Sequence, residues 1–301
     1  MSSNMRGVFP ILSTTFTGEG ELDEAGLRSI IQFCLKSGVH GVVTPVNSSE
    51  FYALTDEERQ KVVSITIEEV AGKVPVVAGV AGGSIEHAVY HAKHAVAVGA
   101  DSLIAFPPYV KKAPPVEIIQ YYQQLDKVAA GRPVWIQNDM LPVGTPMSPE
   151  LIAKIIYSTE STHYVKEECP PAGHNITKIR ELAGDKLKAI HGGKGAIHIM
   201  DEYARGLDGI MPACAVVDVY VELWNQLEAG NVTEARKLFA TMLPFISMAS
   251  LYVACLHKEI LYRRGIITNT YTRTGGGIAL DEYDKLQLDI LFADLEPLFK
   301  V

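Results

Sequence analysis

The chain has little of what marks secreted, membrane-bound or nucleic-acid-binding proteins. Its 301 residues include four cysteines, which are widely spaced and form no CxxC pair. Disulfide stapling is unnecessary at this length, so we expect free thiols in a reducing cytosol. The N-terminal residues lack the apolar core of a signal peptide, and no apolar run reaches membrane-spanning length. These absences predict a cytoplasmic protein that has no membrane partner.

Basic residues are in the minority as well. Lys and Arg number 27 against 35 Asp and Glu, which gives a formal net charge of −8. The longest basic runs are Lys111-Lys112 and Arg263-Arg264, so nucleic acid is not an expected partner. Apolar residues, in contrast, are plentiful. They make up 48% of the chain, which fits a globular protein with a sizeable core.

A repeating unit of short apolar strand, polar loop and amphipathic helix organises the first 230 residues. Eight such units predict a parallel sheet, and eight is the number that closes into a (β/α)8 TIM barrel. An open doubly wound sheet is the alternative, but no GxGxxG follows the first strand. We therefore predict an α/β fold with a catalytic barrel over residues 1–230 and a C-terminal helical extension over 231–301 that packs on it.

The predicted strands cover residues 7–13, 41–46, 74–81, 102–106, 133–138, 163–168, 187–191 and 209–211. The predicted barrel helices cover 23–37, 55–71, 84–98, 115–130, 148–157, 175–183, 195–205 and 218–229. Three more helices are predicted in the extension, at 233–245, 246–264 and 281–299.

Lys166 is the most informative residue, because it places an ammonium group in the middle of the sixth predicted strand. Side chains alternate along a strand, so Lys166 and Glu168 are expected on one face and Glu167 on the other. A lysine and a glutamate that point together into a barrel are costly to bury and rarely serve packing. Desolvation favours the neutral amine, which attacks ketones to form a Schiff base. A structural ion pair is the competing interpretation.

Other polar residues fall at the predicted C-terminal strand ends, where the active sites of barrels lie. Asn47, Ser48 and Ser49 offer small side chains and consecutive N–H groups that suit a carboxylate, although a turn that ends the strand explains them nearly as well. The further candidates for substrate binding are Tyr109, Gln137, Asn138, His191, Gly193 and Met211. Several have a structural explanation too: Asn138 could hold a loop, and His191 could be a satisfied interior histidine.

The order and spacing of several segments resemble the dihydrodipicolinate synthase / N-acetylneuraminate lyase superfamily of class I Schiff-base (β/α)8 enzymes. The similar segments are residues 7–23, 41–59, 79–83, 105–109, 134–138, 164–167 and 206–215. The resemblance implies that Lys166 is the Schiff-base lysine and that Ser48 and Ser49 bind the carboxylate of a small-molecule 2-oxo acid substrate. It also implies a homo-oligomer, a tetramer. Schiff-base chemistry on Lys166 requires no metal and no other cofactor.

The departures from the superfamily pattern narrow the expected reaction. The fifth strand of the synthase and the lyase usually ends in Tyr-Asn, but this chain has Gln137-Asn138, so the tyrosine that relays protons is missing. The second tyrosine of the synthase falls on Val110, and its arginine is missing from residues 139–147. Synthesis of dihydrodipicolinate is therefore not expected. Glu168 is the best replacement acid or base, because strand geometry places it beside Lys166.

Within the superfamily the pattern most resembles the L-2-keto-3-deoxyarabonate dehydratase branch, because the tyrosine is lost and Lys-Glu-Glu-Cys-Pro-Pro runs from Lys166 to Pro171. This implies dehydration of a 2-keto-3-deoxy sugar acid to α-ketoglutaric semialdehyde in pentose (L-arabinose) breakdown, with Gln137 and Asn138 binding substrate hydroxyls. Two alternatives stay open. One is an aldolase or lyase that acts through a pyruvate enamine, and the other is a 2-oxo-acid-binding regulator without turnover.

Overall fold

The computed structural model describes residues 5–140, 145–273 and 277–301. Eight short strands alternate with helices: β1 (Gly7–Val8), β2 (Val42–Thr44), β3 (Val76–Gly79), β4 (Ser102–Ala105), β5 (Val134–Asn138), β6 (Tyr164–Glu167), β7 (Ala189–Gly192) and β8 (Gly209–Ile210). The helices are α1 (Glu24–Lys36), α2 (Asp56–Val70), α3 (Ile85–Val98), α4 (Pro115–Ala129), α5 (Pro149–Tyr157), α6 (Ala172–Ala183), α7 (Ile199–Ala204), α8 (Val217–Glu228), α9 (Val232–Arg263) and α10 (Glu282–Leu295).

The strands form one sheet in the order β1-β8-β7-β6-β5-β4-β3-β2. From β2 to β8 each strand therefore lies beside the next strand in the chain, and β1 lies beside β8. Ile11, just after β1, forms parallel bridges to Val43 in β2 and to Ala213 after β8. This order, with a helix after each strand, is that of a (β/α)8 barrel. The predicted fold class is confirmed.

Several helices begin where their capping residues predict. At the start of α2, Oγ1 of Thr55 accepts a hydrogen bond from the backbone N–H of Glu58 at 3.2 Å, and Oε2 of Glu58 accepts one from the N–H of Thr55 at 2.9 Å. This reciprocal capping box satisfies two N–H groups that have no partner inside the helix. At the start of α5, Ser148 caps the helix and Pro149 occupies its first turn, where the missing N–H of proline costs nothing.

Some predicted boundaries are wrong. The helix predicted at 195–205 begins only at Ile199, because Gly195 has a φ of 64° and lies in a separate 3-10 turn, Lys194–Ala196. The boundary between the two helices predicted at 233–245 and 246–264 is misplaced, because the helical backbone of α9 continues through Pro244. Met242, Phe245 and Ile246 are buried around this proline, so packing outweighs its lost hydrogen bond. The break in α9 lies later, at Val253, whose φ of 43° and ψ of −118° are not helical.

Helix α9 also corrects the expectation that no apolar segment could span a membrane. It has 32 residues, and its most apolar stretch has a mean hydropathy of 1.8, which is long and apolar enough by length and composition. Lipid offers no partner to backbone groups that a break such as the one at Val253 releases from the helix. One such helix is weak evidence for a membrane span, because helices that never enter a membrane pass the same test of length and composition.

The chain divides into two compact units. One contains Pro75–Gly193 and His198–Met211 together with Met5 and Arg6, and it carries strands β3 to β8. Its largest buried side chains include Trp135, Tyr121 and Tyr122. We call it the β3–β8 unit. Its strands are paired in parallel throughout, and Lys166 of β6 lies opposite Gln137 of β5 and His191 of β7.

The second unit contains Gly7–Val74, Lys194–Ile197 and Pro212–Val301. Its core includes Trp224, Phe9 and Phe16. Deep in this unit, Arg264 and Asp218 form a buried pair of parallel hydrogen bonds at 2.8 and 2.9 Å. Neither unit ends at residue 230, and the division predicted there stays a prediction. All four cysteines are free thiols, as the sequence predicts.

Candidate active site

The centre of the candidate site is an ion pair in the β3–β8 unit. Lys166 lies in β6, and Glu168 follows the end of that strand. Nζ of Lys166 is 3.0 Å from Oε2 of Glu168, and the two side chains are only 3% and 6% exposed. The backbone N–H of Glu168 donates to the carbonyl oxygen of Asn138 at 2.8 Å, which continues the strand pairing by one residue. The two side chains therefore lie on one face of the sheet, as the alternation predicts.

Gln137 is the second partner of this carboxylate. It lies opposite Lys166 on the neighbouring strand, and its Nε2 donates to the same oxygen of Glu168 at 2.8 Å. Gln137 is 1% exposed, yet its Oε1 has no hydrogen-bond partner among the described residues. A buried carbonyl oxygen without a partner is costly. The geometry thus leaves one acceptor beside the Lys166–Glu168 pair ready for a hydroxyl or N–H group.

Gly193 packs directly against this carboxylate. A Cβ added at residue 193 would lie 2.0 Å from Oε1 of Glu168, 2.4 Å from its Cδ and 2.5 Å from its Cγ. Real Cβ atoms essentially never come within 3.0 Å of another heavy atom. Gly193 therefore gives Glu168 the space it occupies, which the sequence did not indicate when it suggested a role in substrate binding.

Three further predicted residues have definite places in the β3–β8 unit. His191 is fully buried. Its Nε2 is 2.9 Å from the carbonyl oxygen of Met5, and its ring lies edge-on to Trp135 at a centroid distance of 4.6 Å. Met211 is 1% exposed and donates its N–H to the carbonyl of Gly192 at 2.9 Å. Tyr109 is half-buried in the turn after β4.

Asn138 lies on the opposite face and binds protein groups. Its Nδ2 donates to Oε2 of Glu167 at 2.8 Å and to the carbonyl of Met147 at 3.1 Å, while its Oδ1 accepts from the N–H of Met147 at 2.8 Å. These bonds hold the segment after β5, so the geometry favours the loop anchor over a contact with substrate. Burial raises the pKa of Glu167 to about 7, although hydrogen bonds from Asn138, Cys169 and Asn175 act in the other direction.

The predicted carboxylate site lies in the second unit. Asn47–Ser49 form a single 3-10 turn after β2, and the carbonyl of Ser49 accepts a hydrogen bond from Oγ1 of Thr14 at 2.6 Å. The first N–H groups of such a turn, those of Asn47 and Ser48, have no carbonyl partner within it. Ser49 is fully buried, and its Oγ has no partner among the described residues. The turn therefore offers several donors.

Sequence reasoning missed a second interior lysine, Lys258, which is 1% exposed. It pairs with Glu50, donates to the carbonyl of Tyr271 at 2.8 Å and lies 4.6 Å from the ring centroid of Phe16. Burial lowers the pKa of Lys258, while Glu50 counteracts this. The signal was available, because Lys258 continues the buried stripe of Ala254 and Leu261 along α9. Lys258 is therefore explained by a structural ion pair, which was the competing interpretation for Lys166.

A third missed group is the carboxyl of Glu202 in α7, which is 3% exposed. Its Oε2 has no hydrogen-bond partner among the described residues and lies where a Cβ on Gly192 would come within 2.4 Å. Burial raises the pKa of Glu202 to about 7, and the charges of Asp201, Glu168 and Glu167 raise it further. Its position on a six-residue helix after a glycine-rich turn gave no periodicity from which to predict burial.

The sequence profile of the Dihydrodipicolinate synthetase family matches residues 4–290. The chain belongs to this family. Its sequence is 28% identical over 263 residues to the L-2-keto-3-deoxyarabonate dehydratase of Azospirillum brasilense. The alignment covers 86% of this chain and 84% of the relative. The sequence is also 28% identical over 260 residues to the 4-hydroxy-tetrahydrodipicolinate synthase of Methanothrix thermoacetophila, covering 86% of each chain.

A solved structure gives a similar result. YagE of Escherichia coli K12, crystallised in complex with pyruvate, superimposes with a TM-score of 0.90 at 25% identity, covering 97% of this chain and 99% of YagE. YagE is described as a putative 2-dehydro-3-deoxy-D-gluconate aldolase. Its sequence is 27% identical to this chain over 302 residues, with 98% of each chain covered. The relatives thus include a dehydratase, a synthase and an aldolase. Membership of this family of lyases is established, and the resemblance predicted from the sequence is confirmed.

Proposed function

We propose that this family member dehydrates a 2-keto-3-deoxy sugar acid, with L-2-keto-3-deoxyarabonate as substrate, through a Schiff base on Lys166. The observation that carries the proposal is the buried ion pair of Lys166 and Glu168, whose shared oxygen also accepts a hydrogen bond from Gln137. In this pair the titratable partner of the lysine is a carboxylate, and the glutamine that stands in place of a tyrosine has no proton to transfer. The dehydratase from Azospirillum brasilense supports the choice of reaction.

The first step uses the ion pair itself. A proton passes from the ammonium of Lys166 to the carboxylate of Glu168 over the 3.0 Å that separates them, which leaves a neutral amine and a carboxylic acid. The amine attacks C2 of the 2-oxo acid to give a carbinolamine. Glu168 then returns its proton to the hydroxyl group on C2, which departs as water and leaves a cationic imine.

The second step eliminates water from the substrate. The cationic imine acidifies the C3 protons, and the carboxylate of Glu168 removes one of them to give an enamine. The enamine expels the C4 hydroxyl group, which takes the proton from Glu168 and leaves as water. Tautomerisation converts C5 to an aldehyde, and hydrolysis of the imine releases α-ketoglutaric semialdehyde and regenerates Lys166. Imine formation releases one water and imine hydrolysis consumes one, so the net product is the single water of elimination.

Substrate binding is assigned to the turn Asn47–Ser49 and to Gln137. Ser48 and Ser49, with Asn47, hold the carboxylate through hydroxyl and backbone N–H donors, which form charge-assisted bonds to an anion. The buried Oε1 of Gln137 accepts a hydrogen bond from a hydroxyl of the sugar acid. A substrate without that hydroxyl would leave the oxygen unpaired, so Gln137 discriminates between hydroxylated and simple 2-oxo acids.

The other expectations stay predictions. These are the absence of a metal or other cofactor in catalysis, roles for Tyr109, Asn138, His191 and Met211 in substrate binding, a tetrameric assembly and a cytoplasmic location. The exposed apolar side chains of α10, Tyr283, Leu286 and Ile290, recur along that helix and are compatible with contacts between subunits.

Borohydride trapping tests the Schiff base. The protein is incubated with L-2-keto-3-deoxyarabonate and sodium borohydride, and peptide mass spectrometry locates the reduced adduct. We expect one adduct per chain on the peptide that contains Lys166. The equally buried Lys258 is the internal comparison, because it is engaged by Glu50 and the Tyr271 carbonyl. Wild-type protein without an adduct, or an adduct on Lys258 alone, would end the Schiff-base proposal.

The second candidate is cleavage of the C3–C4 bond through the same enamine, and the similarity to YagE supports it. In that reaction the base takes the proton of the C4 hydroxyl, and the C3 carbon leaves as a pyruvate enamine. Product analysis separates the two reactions. Semialdehyde without pyruvate indicates dehydration, and pyruvate with a two-carbon aldehyde indicates the aldolase.

A further inference from the structure

Helix α3 carries three histidines, His87, His91 and His94, at positions i, i+4 and i+7. Residues four apart on a helix lie one turn above one another on the same face. His87 is half-buried and His91 is 4% exposed. Neither residue has a part in the proposed reaction, and both lie in the β3–β8 unit.

The two rings of the first pair converge through their Nε2 atoms. Nε2 of His87 and Nε2 of His91 are 3.1 Å apart. The ring centroids are separated by 4.8 Å and the planes are inclined by 50°, so the rings do not stack face to face. The atoms that approach each other are the nitrogens, which are the metal ligands of a neutral imidazole.

The 3.1 Å separation is the one that a shared metal ion requires. Zinc binds imidazole nitrogen at about 2.0–2.1 Å, so two such ligands on one ion lie about 2.9 Å apart at a right angle and about 3.3 Å apart at a tetrahedral angle. The observed value lies between these limits. Two histidines at i and i+4 on one helix are also a recurrent metal-binding arrangement.

We propose that His87 and His91 form a binding site for a transition-metal dication, with Zn²⁺ and Ni²⁺ as the ions that two neutral imidazoles suit best. Water completes the coordination shell. The ion bridges the first two turns of α3 and stabilises that helix, in a structural role separate from catalysis at Lys166. A hydrogen bond between the two rings is the competing explanation of the short distance, and metal titration distinguishes them.

The test is a titration of the full-length, tag-free protein, first treated with chelator, with Zn²⁺ and separately with Ni²⁺ by isothermal calorimetry. We expect saturable binding of one ion per chain at micromolar concentration and a higher Tm in its presence, because a ligand that binds the folded state stabilises it. His87→Asn should weaken binding by at least tenfold. His94→Asn is the matched control, since it removes a histidine from the same helix and keeps the i, i+4 pair.

Cu²⁺ bound to the same protein gives a spectroscopic readout, because nitrogen hyperfine splitting in its electron paramagnetic resonance spectrum counts the imidazole ligands. Two nitrogens in the wild type and one in His87→Asn are expected. His91→Asn is a second variant, but His91 is buried and its loss can unfold the helix, so the half-buried His87 carries the test. Absence of saturable binding, or equal affinity in the wild type and His87→Asn, would overturn the proposal.

Discussion

Replacement of Gly193 by alanine is the sharpest perturbation of the proposed mechanism. Gly193 touches neither Lys166 nor substrate in that mechanism, and its contact with the carboxylate of Glu168 is what the substitution changes. The alanine Cβ would start 2.0 Å from Oε1 of Glu168, while ordinary contact begins at 3.4 Å. The carboxylate, the Gly193 backbone or both must therefore shift by about 1.4 Å in total.

A shift of that size breaks the arrangement on which proton transfer depends. Oε2 of Glu168 is 3.0 Å from Nζ of Lys166 and 2.8 Å from Nε2 of Gln137, and neither contact survives a displacement of more than 1 Å as a good hydrogen bond. Misplacement of a catalytic group by about 1 Å costs roughly 100-fold in rate. We expect Gly193→Ala to lower kcat by about that factor and to change KM much less.

The assay measures initial rates of semialdehyde formation from L-2-keto-3-deoxyarabonate, together with the yield of borohydride adduct. Adduct should still form in Gly193→Ala, more slowly, since Lys166 is present. Gly18→Ala is the control, because a Cβ at residue 18 has no heavy atom within 4 Å. Thermal melts of both variants show whether any loss of rate reflects unfolding. A folded Gly193→Ala protein with kcat within threefold of the wild type would refute the role given to Glu168.

Three other substitutions test separate parts of the account. Glu168→Gln removes the acid and base, so turnover should fall at least about 100-fold, while the borohydride adduct on Lys166 still forms but more slowly, because water must then carry the protons of imine formation; near-normal turnover would remove Glu168 from the mechanism. Burial raises the pKa of Glu202 from 4.5 to about 7, so the folded state holds this proton more tightly than the unfolded state and stability falls as pH rises through that window. Glu202→Gln removes the dependence, which is at most about 3 kcal/mol, and urea unfolding at pH 5 and pH 8 measures it; equal pH dependence in the two proteins would contradict this origin. Asn138→Ala leaves the buried groups of Met147 and Glu167 without their partner and should cost about 1–3 kcal/mol in the same unfolding assay at pH 7, whereas an unchanged midpoint would show that those bonds contribute nothing.

The barrel could be predicted because each strand and each helix of the repeat is determined by residues that are close together in the sequence. Every predicted strand overlaps an observed one, and the capping box of α2 begins where its Thr and Glu predict. The placement of Lys166 and Glu168 on one face follows from strand alternation alone. The position of Gln137 beside this pair depends on the register between β5 and β6, and predicted strand boundaries do not determine that register.

What the sequence did not indicate depends on contacts between distant segments. Lys258 falls on the buried stripe of α9, but its partner Glu50 lies more than 200 positions away, and no local pattern pairs the two residues. Pro244 predicts a helix end, but the side chains buried around it keep α9 continuous, and the actual break at Val253 has no local sequence signal. Asn138 carries a side chain of the right type for a substrate contact, and only the structure shows that Met147 and Glu167 engage it.

The alignment of Gln137, Lys166 and His191 across three adjacent strands determines how this scaffold can diverge. Inserting or deleting one residue inside β6 ahead of Lys166 would move Lys166 to the opposite face and remove the proposed nucleophile from the site. Exchanging the flanking glutamine or histidine leaves the backbone pairing intact. In the proposed mechanism, the hydroxyl group that Gln137 recognises can therefore change by point substitution, whereas a change of length within β6 moves Lys166 off its face of the sheet.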